Sequence, residues 1–133
     1  MFLLDTNILS DLVRNPQGAV AAKIFEVGEK AISTSIVVAA ELRYGAERRG
    51  STRLSEQLEE ILALVAVLPL GDEADEFYGK LRADLERRGL PIGGNDMLIA
   101  AHALTLGATL VTDNVREFER VDSLKIENWL RPS

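Results

Sequence analysis

The chain of 133 residues contains no cysteine and a single histidine, His102. The first absence removes any disulfide framework and any thiolate-held zinc or iron–sulfur centre. The second leaves imidazole-rich metal sites and Ser–His–Asp hydrolysis with almost nothing to build from. No segment reaches eighteen apolar residues and no basic stretch precedes the apolar start, so a cytoplasmic protein without a membrane anchor is expected. Net positive charge is missing too: 15 basic against 21 acidic residues give a formal charge of −6, which offers no overall attraction to nucleic acid. Basic residues gather locally instead, Arg43, Arg48, Arg49 and Arg53 in one stretch and Lys80, Arg82, Arg87 and Arg88 in another. Each cluster taken alone reads as a solvated mixed-charge helix face. No linker, repeat or low-complexity tract interrupts the chain, and its length fits one domain over residues 1–133.

What is present is a regular alternation of short apolar runs with amphipathic stretches. Residues 2–4 form a strand that stops at Asp5-Thr6-Asn7, after which Ile8, Leu9, Leu12 and Val13 recur at helical spacing until Asn15-Pro16. A helix over 17–27 should bury Val20, Ile24 and Phe25, with Gly28 closing it. A short strand at 31–33 follows, then a helix capped by Thr34 or Ser35 that runs through Tyr44 and carries Glu41. An amphipathic helix over 52–66 precedes a weak edge strand at 67–70, weak because Pro69 cannot donate to a ladder. Another apolar stripe, Ala74 to Leu85, ends before Gly89-Leu90-Pro91. The stretch from Pro91 to Asn114 reads as turn, buried helix, turn and buried strand. A helical piece near Glu117-Phe118 and a strand at 124–126 complete the chain. This alternation predicts an α/β fold around a mostly parallel sheet.

Four acids occupy special places: Asp5 at a strand end, Glu41 inside a helix, Asp96 at a helix start and Asp113 at another strand end. Bland roles exist for three of them. Asp5 and Asp96 stand where caps and first-turn acids belong, with Asn95 a second capping side chain, and Asp113-Asn114 is a common turn pair. Glu41 differs, because its helix is apolar nearly all round and a partly buried carboxylate needs a partner. The other three acids can serve only if a divalent cation joins them, since carboxylates brought together otherwise repel. Mg²⁺ or Mn²⁺ suits such oxygen ligands, and the chemistry that follows is phosphoryl transfer to water. Thr6 and Thr112 can orient the carboxylates or a water by hydrogen bonds, and Asn7 and Asn114 can do likewise or cap their turns. His102 follows Asp96 by six residues, about 9 Å of helical rise, and reads as a packed or surface histidine, not a ligand.

The segments LLDTNILSDL, AAELRYG, GGNDMLIAAHAL and LVTDN, in this order and at this length, resemble the PIN-domain nucleases, in particular the VapC-type toxins of bacterial toxin–antitoxin (VapBC) pairs. The resemblance extends over essentially the whole chain, including the tail EFERVDSLKIENW. It implies a PIN-like three-layer α/β/α fold with a five-stranded sheet in the order 3-2-1-4-5, placing Asp5 and Asp113 on adjacent strands. It implies a Mg²⁺- or Mn²⁺-dependent endoribonuclease with Asp5, Glu41, Asp96 and Asp113 as its catalytic acids and Asp5, Asp96 and Asp113 as metal ligands. Thr6 matches the family's hydroxyl after the first acid, and Thr112 the one before the last acid. That last acid varies within the family, which makes Asp113 the least secure ligand. The implied partners are a small VapB-type antitoxin whose C-terminal segment lies across the active-site groove, an RNA substrate, tRNA in one subgroup, DNA only through the antitoxin, and a second copy of the chain. A rival reading is a non-catalytic member of a DNA-binding antitoxin complex that regulates transcription. An aspartyl-phosphate phosphatase is disfavoured, because Asn7 stands where a second Asp is needed and no Lys lies between Asp96 and Asp113.

Overall fold

The computed structural model describes residues 1–131; residues 132 and 133 of the expected domain lie outside the described residues. Five short strands, β1 (Phe2–Leu4), β2 (Ile32–Ser35), β3 (Ala66–Leu68), β4 (Thr109–Val111) and β5 (Lys125–Glu127), form one sheet in the order β3-β2-β1-β4-β5. All four pairings are parallel, with Leu3 opposite Ser33 on one side and Leu110 on the other. The expected order is therefore found, and the sheet is wholly rather than mostly parallel. Parallel strands require crossovers, and these are supplied by α1 (Thr6–Arg14), α2 (Ala19–Val27), α3 (Ile36–Arg49), α4 (Thr52–Leu64), α5 (Ala74–Arg87), α6 (Gly94–Leu106) and α7 (Val115–Phe118). No helix among the described residues is long and apolar enough to cross a membrane.

The centre of the sheet is buried on both faces, as a covered parallel sheet must be. Leu3, Leu4, Leu110 and Val111 have no solvent exposure. Their neighbour β2 is buried throughout yet reads Ile-Ser-Thr-Ser, which is why apolar pattern alone shortened it to 31–33. Its hydroxyls are tolerated because they are bonded: Ser33 Oγ donates to the Phe2 carbonyl at 3.2 Å and Thr34 Oγ1 to the Leu4 carbonyl at 2.6 Å. Ser35, the last strand residue, then caps α3 by accepting from the Val37 N–H at 3.1 Å, so strand and helix meet without a loop. β3 sits at the edge, where Pro69 can follow it without breaking a ladder.

Helix α6 buries Met97, Ile99, Ala100, Ala101, His102 and Ala103, and lies mainly against α5, whose Leu81 and Leu85 face it from the same core. The chain's tail is tied to the first strand by Trp129, whose ring meets Phe2 edge-on at a centroid distance of 5.2 Å. One core expectation fails: Phe25 is 91% exposed, whereas Val20 on the same helix is fully buried. The apolar stripe of α2 is wider than the surface available to cover it. Replacing Ile99 by Ala should cost about 2–5 kcal/mol through lost burial and a residual cavity. Phe25→Ser should change stability by less than about 0.5 kcal/mol; urea unfolding of both variants checks the contrast.

Candidate active site

β1 ends at Leu4, and Asp5 adopts an extended backbone (φ −80°, ψ 169°) that turns the chain into α1. The carboxylate is 3% exposed. Its Oδ1 accepts from the Thr6 N–H at 2.8 Å, and its Oδ2 accepts from the Thr112 hydroxyl at 2.7 Å and the Asn7 amide at 3.5 Å. Burial pushes its pKa above the ordinary aspartate value; the bonds from Thr112 and Thr6 oppose this, and the charge of Glu41 adds to it. Glu41, half-buried on α3, is held by Thr6, whose hydroxyl donates to Oε1 at 2.6 Å. The Asn95 amide lies 3.4 Å from Oε2. Thr6 thus anchors two carboxylates at once, one through its backbone and one through its hydroxyl.

Asp96 stands in the first turn of α6, which begins after Gly93 in an extended conformation. No side chain caps that helix; Asn95, expected as a cap, reaches across to Glu41 instead. A Cβ at Gly93 would stand in ordinary van der Waals contact with Asp96 Oδ2, at 3.6 Å. The Asp96 pKa is pushed up to about 6, first by burial and then by the charges of Asp5, Glu41 and Glu117, and no hydrogen bond offsets them. The structure therefore brings Asp5, Glu41 and Asp96 into one field, from three distant parts of the chain.

Asp113 is placed differently. Its Oδ1 accepts from Arg131 Nε at 2.8 Å and from the Asn128 amide at 3.0 Å, and these bonds hold its pKa below the usual aspartate value. Its charge is not among those that raise Asp5 or Asp96. Thr112, which precedes it, serves Asp5 instead, and also accepts from the Asn7 amide at 3.4 Å and the Asn114 N–H at 3.0 Å. Asn7 in turn accepts from the Asp113 N–H at 3.0 Å. The third acid felt by Asp96 is Glu117 on α7, whose Oε2 accepts from the Asn114 amide at 3.0 Å. In sequence Glu117 resembles a capping-box acid three residues after Asn114, and that pattern hides it as helix punctuation. His102 is fully buried and stands with the packed side chains.

Among the described residues, no ion pair includes Asp5, Glu41, Asp96 or Glu117. No three acidic or imidazole side chains among them stand close enough to enclose a metal ion by themselves. The opening beside Asp96, about 440 Å³ and lined by Glu41, Gly93, Gly94 and Asn95, is shallow. A larger cavity of about 830 Å³, between α2 and β5, contains none of these acids, and the chemistry decides in favour of the smaller one. An open, all-oxygen donor set with excess negative charge fits Mg²⁺ or Mn²⁺. Mg²⁺ takes one or two carboxylates and fills its remaining positions with water and substrate phosphate.

A wholly parallel sheet with Asp5, Glu41 and Asp96 gathered beyond its strand ends places an acidic cluster on a three-layer α/β scaffold. The PIN domain profile matches residues 2–124. The chain is 35% identical over 131 residues to Ribonuclease VapC2 of Rickettsia felis, a match covering 97% of this chain and 98% of that one. It is 37% identical over 129 residues to tRNA(fMet)-specific endonuclease VapC of Shigella flexneri, covering 96% and 97%. Among solved structures, VapBC2 from Rickettsia felis bound to a DNA fragment from its promoter contains a chain that superposes with a TM-score of 0.88 at 35% identity, over 96% of this chain and 98% of that one. The chain belongs to the PIN domain family, and within it to the VapC-type group.

The raised pKa of Asp96 has a consequence for stability. A group whose folded pKa lies above its unfolded value of 3.8 disfavours folding once ionised, so stability is lost as pH rises from about 4 through about 6. Asp96→Asn should therefore stabilise the metal-free protein at pH 7.5 by on the order of 1 kcal/mol, the full linkage value being reduced by solvent screening. The gain should vanish near pH 4. Urea unfolding in the presence of a chelator at both pH values measures it, and an unchanged midpoint at pH 7.5 contradicts it.

Proposed function

We propose that this chain is a metal-dependent endoribonuclease, the toxin of a type II toxin–antitoxin pair, hydrolysing RNA phosphodiester bonds with water as the nucleophile. The observation that carries this reading is the gathering of Asp5, Glu41, Asp96 and Glu117 from distant parts of the chain, all but Asp96 held by neutral donors and none joined by an ion pair among the described residues. A bound Mg²⁺ or Mn²⁺ supplies Lewis-acid polarisation of a phosphate oxygen and lowers the pKa of water. Asp5 and Asp96 hold that ion. Asp113 serves as a further ligand only where its carboxylate is released from Arg131, and Glu117 adds negative charge from α7. Glu41, fixed through Oε1 by Thr6, keeps Oε2 with only the long Asn95 contact and accepts the proton of the attacking water. Burial raises the Asp5 pKa, while Thr112, Thr6 and Asn7, which bond its carboxylate, oppose that rise and orient its oxygens.

The names of the relatives, a ribonuclease and a tRNA(fMet)-specific endonuclease, support RNA as the substrate, with tRNA the first to be tried. The VapBC complexes among the similar structures support a VapB-type antitoxin as partner, with DNA reached through it. Within this reading, residues 1–133 make one PIN domain acting in the cytoplasm as a homodimer. The second reading, a non-catalytic partner in an antitoxin complex that regulates transcription, draws on the DNA-bound complexes.

Purified protein with Mg²⁺ or Mn²⁺ should cut RNA, and Asp96→Asn should leave it intact. Glu41→Gln should lower kcat by about 100-fold, the lower end of general acid–base contributions. Glu117→Gln should cost more activity than Asp113→Asn, which removes a carboxylate already engaged by Arg131. Gel analysis of total RNA and of purified tRNA checks all four. If RNA survives the wild type and Asp96→Asn behaves the same way, the transcriptional reading replaces this one.

A further inference from the structure

His102 is completely buried on α6, six residues beyond Asp96, and the ligand set does not use it. Its Nδ1 lies 2.8 Å from Ser35 Oγ. Ser35 is the cap of α3, where its oxygen already accepts the Val37 N–H at 3.1 Å. The Ser35 hydroxyl proton is then free to donate to Nδ1, an arrangement that places the imidazole proton on Nε2. Burial favours the neutral form. Among the described residues Nε2 has no hydrogen-bond partner, and the Pro69 backbone beyond β3 acts on the imidazole pKa in the sense opposite to burial. A buried polar atom left without a partner costs stability. A leucine of similar volume would avoid that cost, so packing alone does not explain an imidazole here.

The geometry supplies a reason. Two side-chain bonds join α3 and its cap to α6: Ser35 to His102 at the buried end, and Asn95 to Glu41 at the site. They run in opposite senses along the chain, since advancing from Ser35 to Glu41 on α3 corresponds to retreating from His102 to Asn95 on α6. The intervals are six and seven residues, about 9 and 10.5 Å of helical rise, so the two rungs are compatible with one axial register. The outer rung is long and exposed, and weak for both reasons. The inner one is short, dry and directional.

We propose that His102 is a positioning residue: its bond to the Ser35 cap sets the register of α6 against α3, and thereby the separation of Asp96 from Glu41. It never touches substrate or metal. A slip of one residue along α6 would carry Asp96 by about 1.5 Å and rotate it by about 100° away from Glu41. Fixing the helix by its buried end leaves the site end open for a cation and a phosphate.

The proposal rests on the nuclease reading for its effect on activity, but not for the register itself. The test compares His102→Leu, His102→Asn, Ser35→Ala and the double variant His102→Leu with Ser35→Ala. Mn²⁺ binding is followed by electron paramagnetic resonance below the unfolding range of each protein, and RNA cleavage is followed alongside. His102→Leu and Ser35→Ala should each weaken Mn²⁺ binding and lower kcat by about tenfold, as loss of a group that orients ligands does, with the KM for RNA little changed. The double variant should be no worse than either single variant, because both remove the same bond. Asparagine, whose Oδ1 can take the place of Nδ1, should restore most of the affinity. Mn²⁺ affinities within twofold of wild type in folded His102→Leu overturn the proposal; where that variant does not fold, the same result in Ser35→Ala does. A wild type that binds no Mn²⁺ sinks the nuclease reading instead. The register claim then stands or falls on a crystal structure of His102→Leu: a retained Glu41 to Asn95 bond contradicts it, and a lost one supports it.

Discussion

The burial of Asp5 and Asp96, compounded by the charges they and Glu41 place beside one another, is the constraint on which the rest of the site depends. Like charges gathered in a half-buried place raise one another's pKa values unless something positive arrives. The chain supplies no lysine or arginine to do so, since every ion pair among the described residues lies elsewhere. It supplies neutral donors: Thr6 to Asp5 and Glu41, Thr112 and Asn7 to Asp5, and Asn95 to Glu41. These orient each carboxylate without cancelling its charge. Asp96 alone receives no such donor and absorbs the strain by holding its proton up to about pH 6.

The fold makes this arrangement cheap to build. In a sheet ordered β3-β2-β1-β4-β5, chain connections lead away in opposite directions on either side of the β1 and β4 pair. A crevice opens beyond the strand ends at that switch point. Asp5 follows β1 and Thr112 follows β4, and register brings Leu4 opposite Val111 so that the two side chains meet directly. Glu41 and Asp96 approach from helices rooted in the same core. Ser35, both strand end and helix cap, ties one of those helices to the sheet and, through His102, to the other.

Much of this was legible in the sequence because period and punctuation carry it. The apolar run before Asp5, the apolar stretch from Ile36 to Leu42 around Glu41 and the Gly-Gly entry to Asp96 each announce a carboxylate in a place where water is scarce. Other features depend on contacts between distant residues, which periodicity does not encode. Nothing near Asp113 announces Arg131, eighteen residues on, which takes its carboxylate. Thr112 is adjacent to Asp113 in the chain but faces Asp5, because successive side chains in an extended segment point to opposite sides. Glu117 is masked by a capping pattern. Thr34 and Ser35 read as alternative helix caps, and only the bond from Thr34 to the Leu4 carbonyl of β1 shows that the strand continues past Ser33. Phe25 follows the helical period faithfully and is still left in solvent, since period tells which residues share a face and not whether anything covers it.

If repulsion among these acids is what a cation relieves, binding must expel whatever proton Asp96 still holds. Calorimetric titration with Mn²⁺ in two buffers of different ionisation enthalpy counts that proton. The account predicts release of about half a proton per ion near pH 6, where Asp96 is half protonated, falling towards zero by pH 8 and absent when Asp96 is replaced by Asn. Binding with no proton release at pH 6, or release unchanged between pH 6 and pH 8, would contradict it.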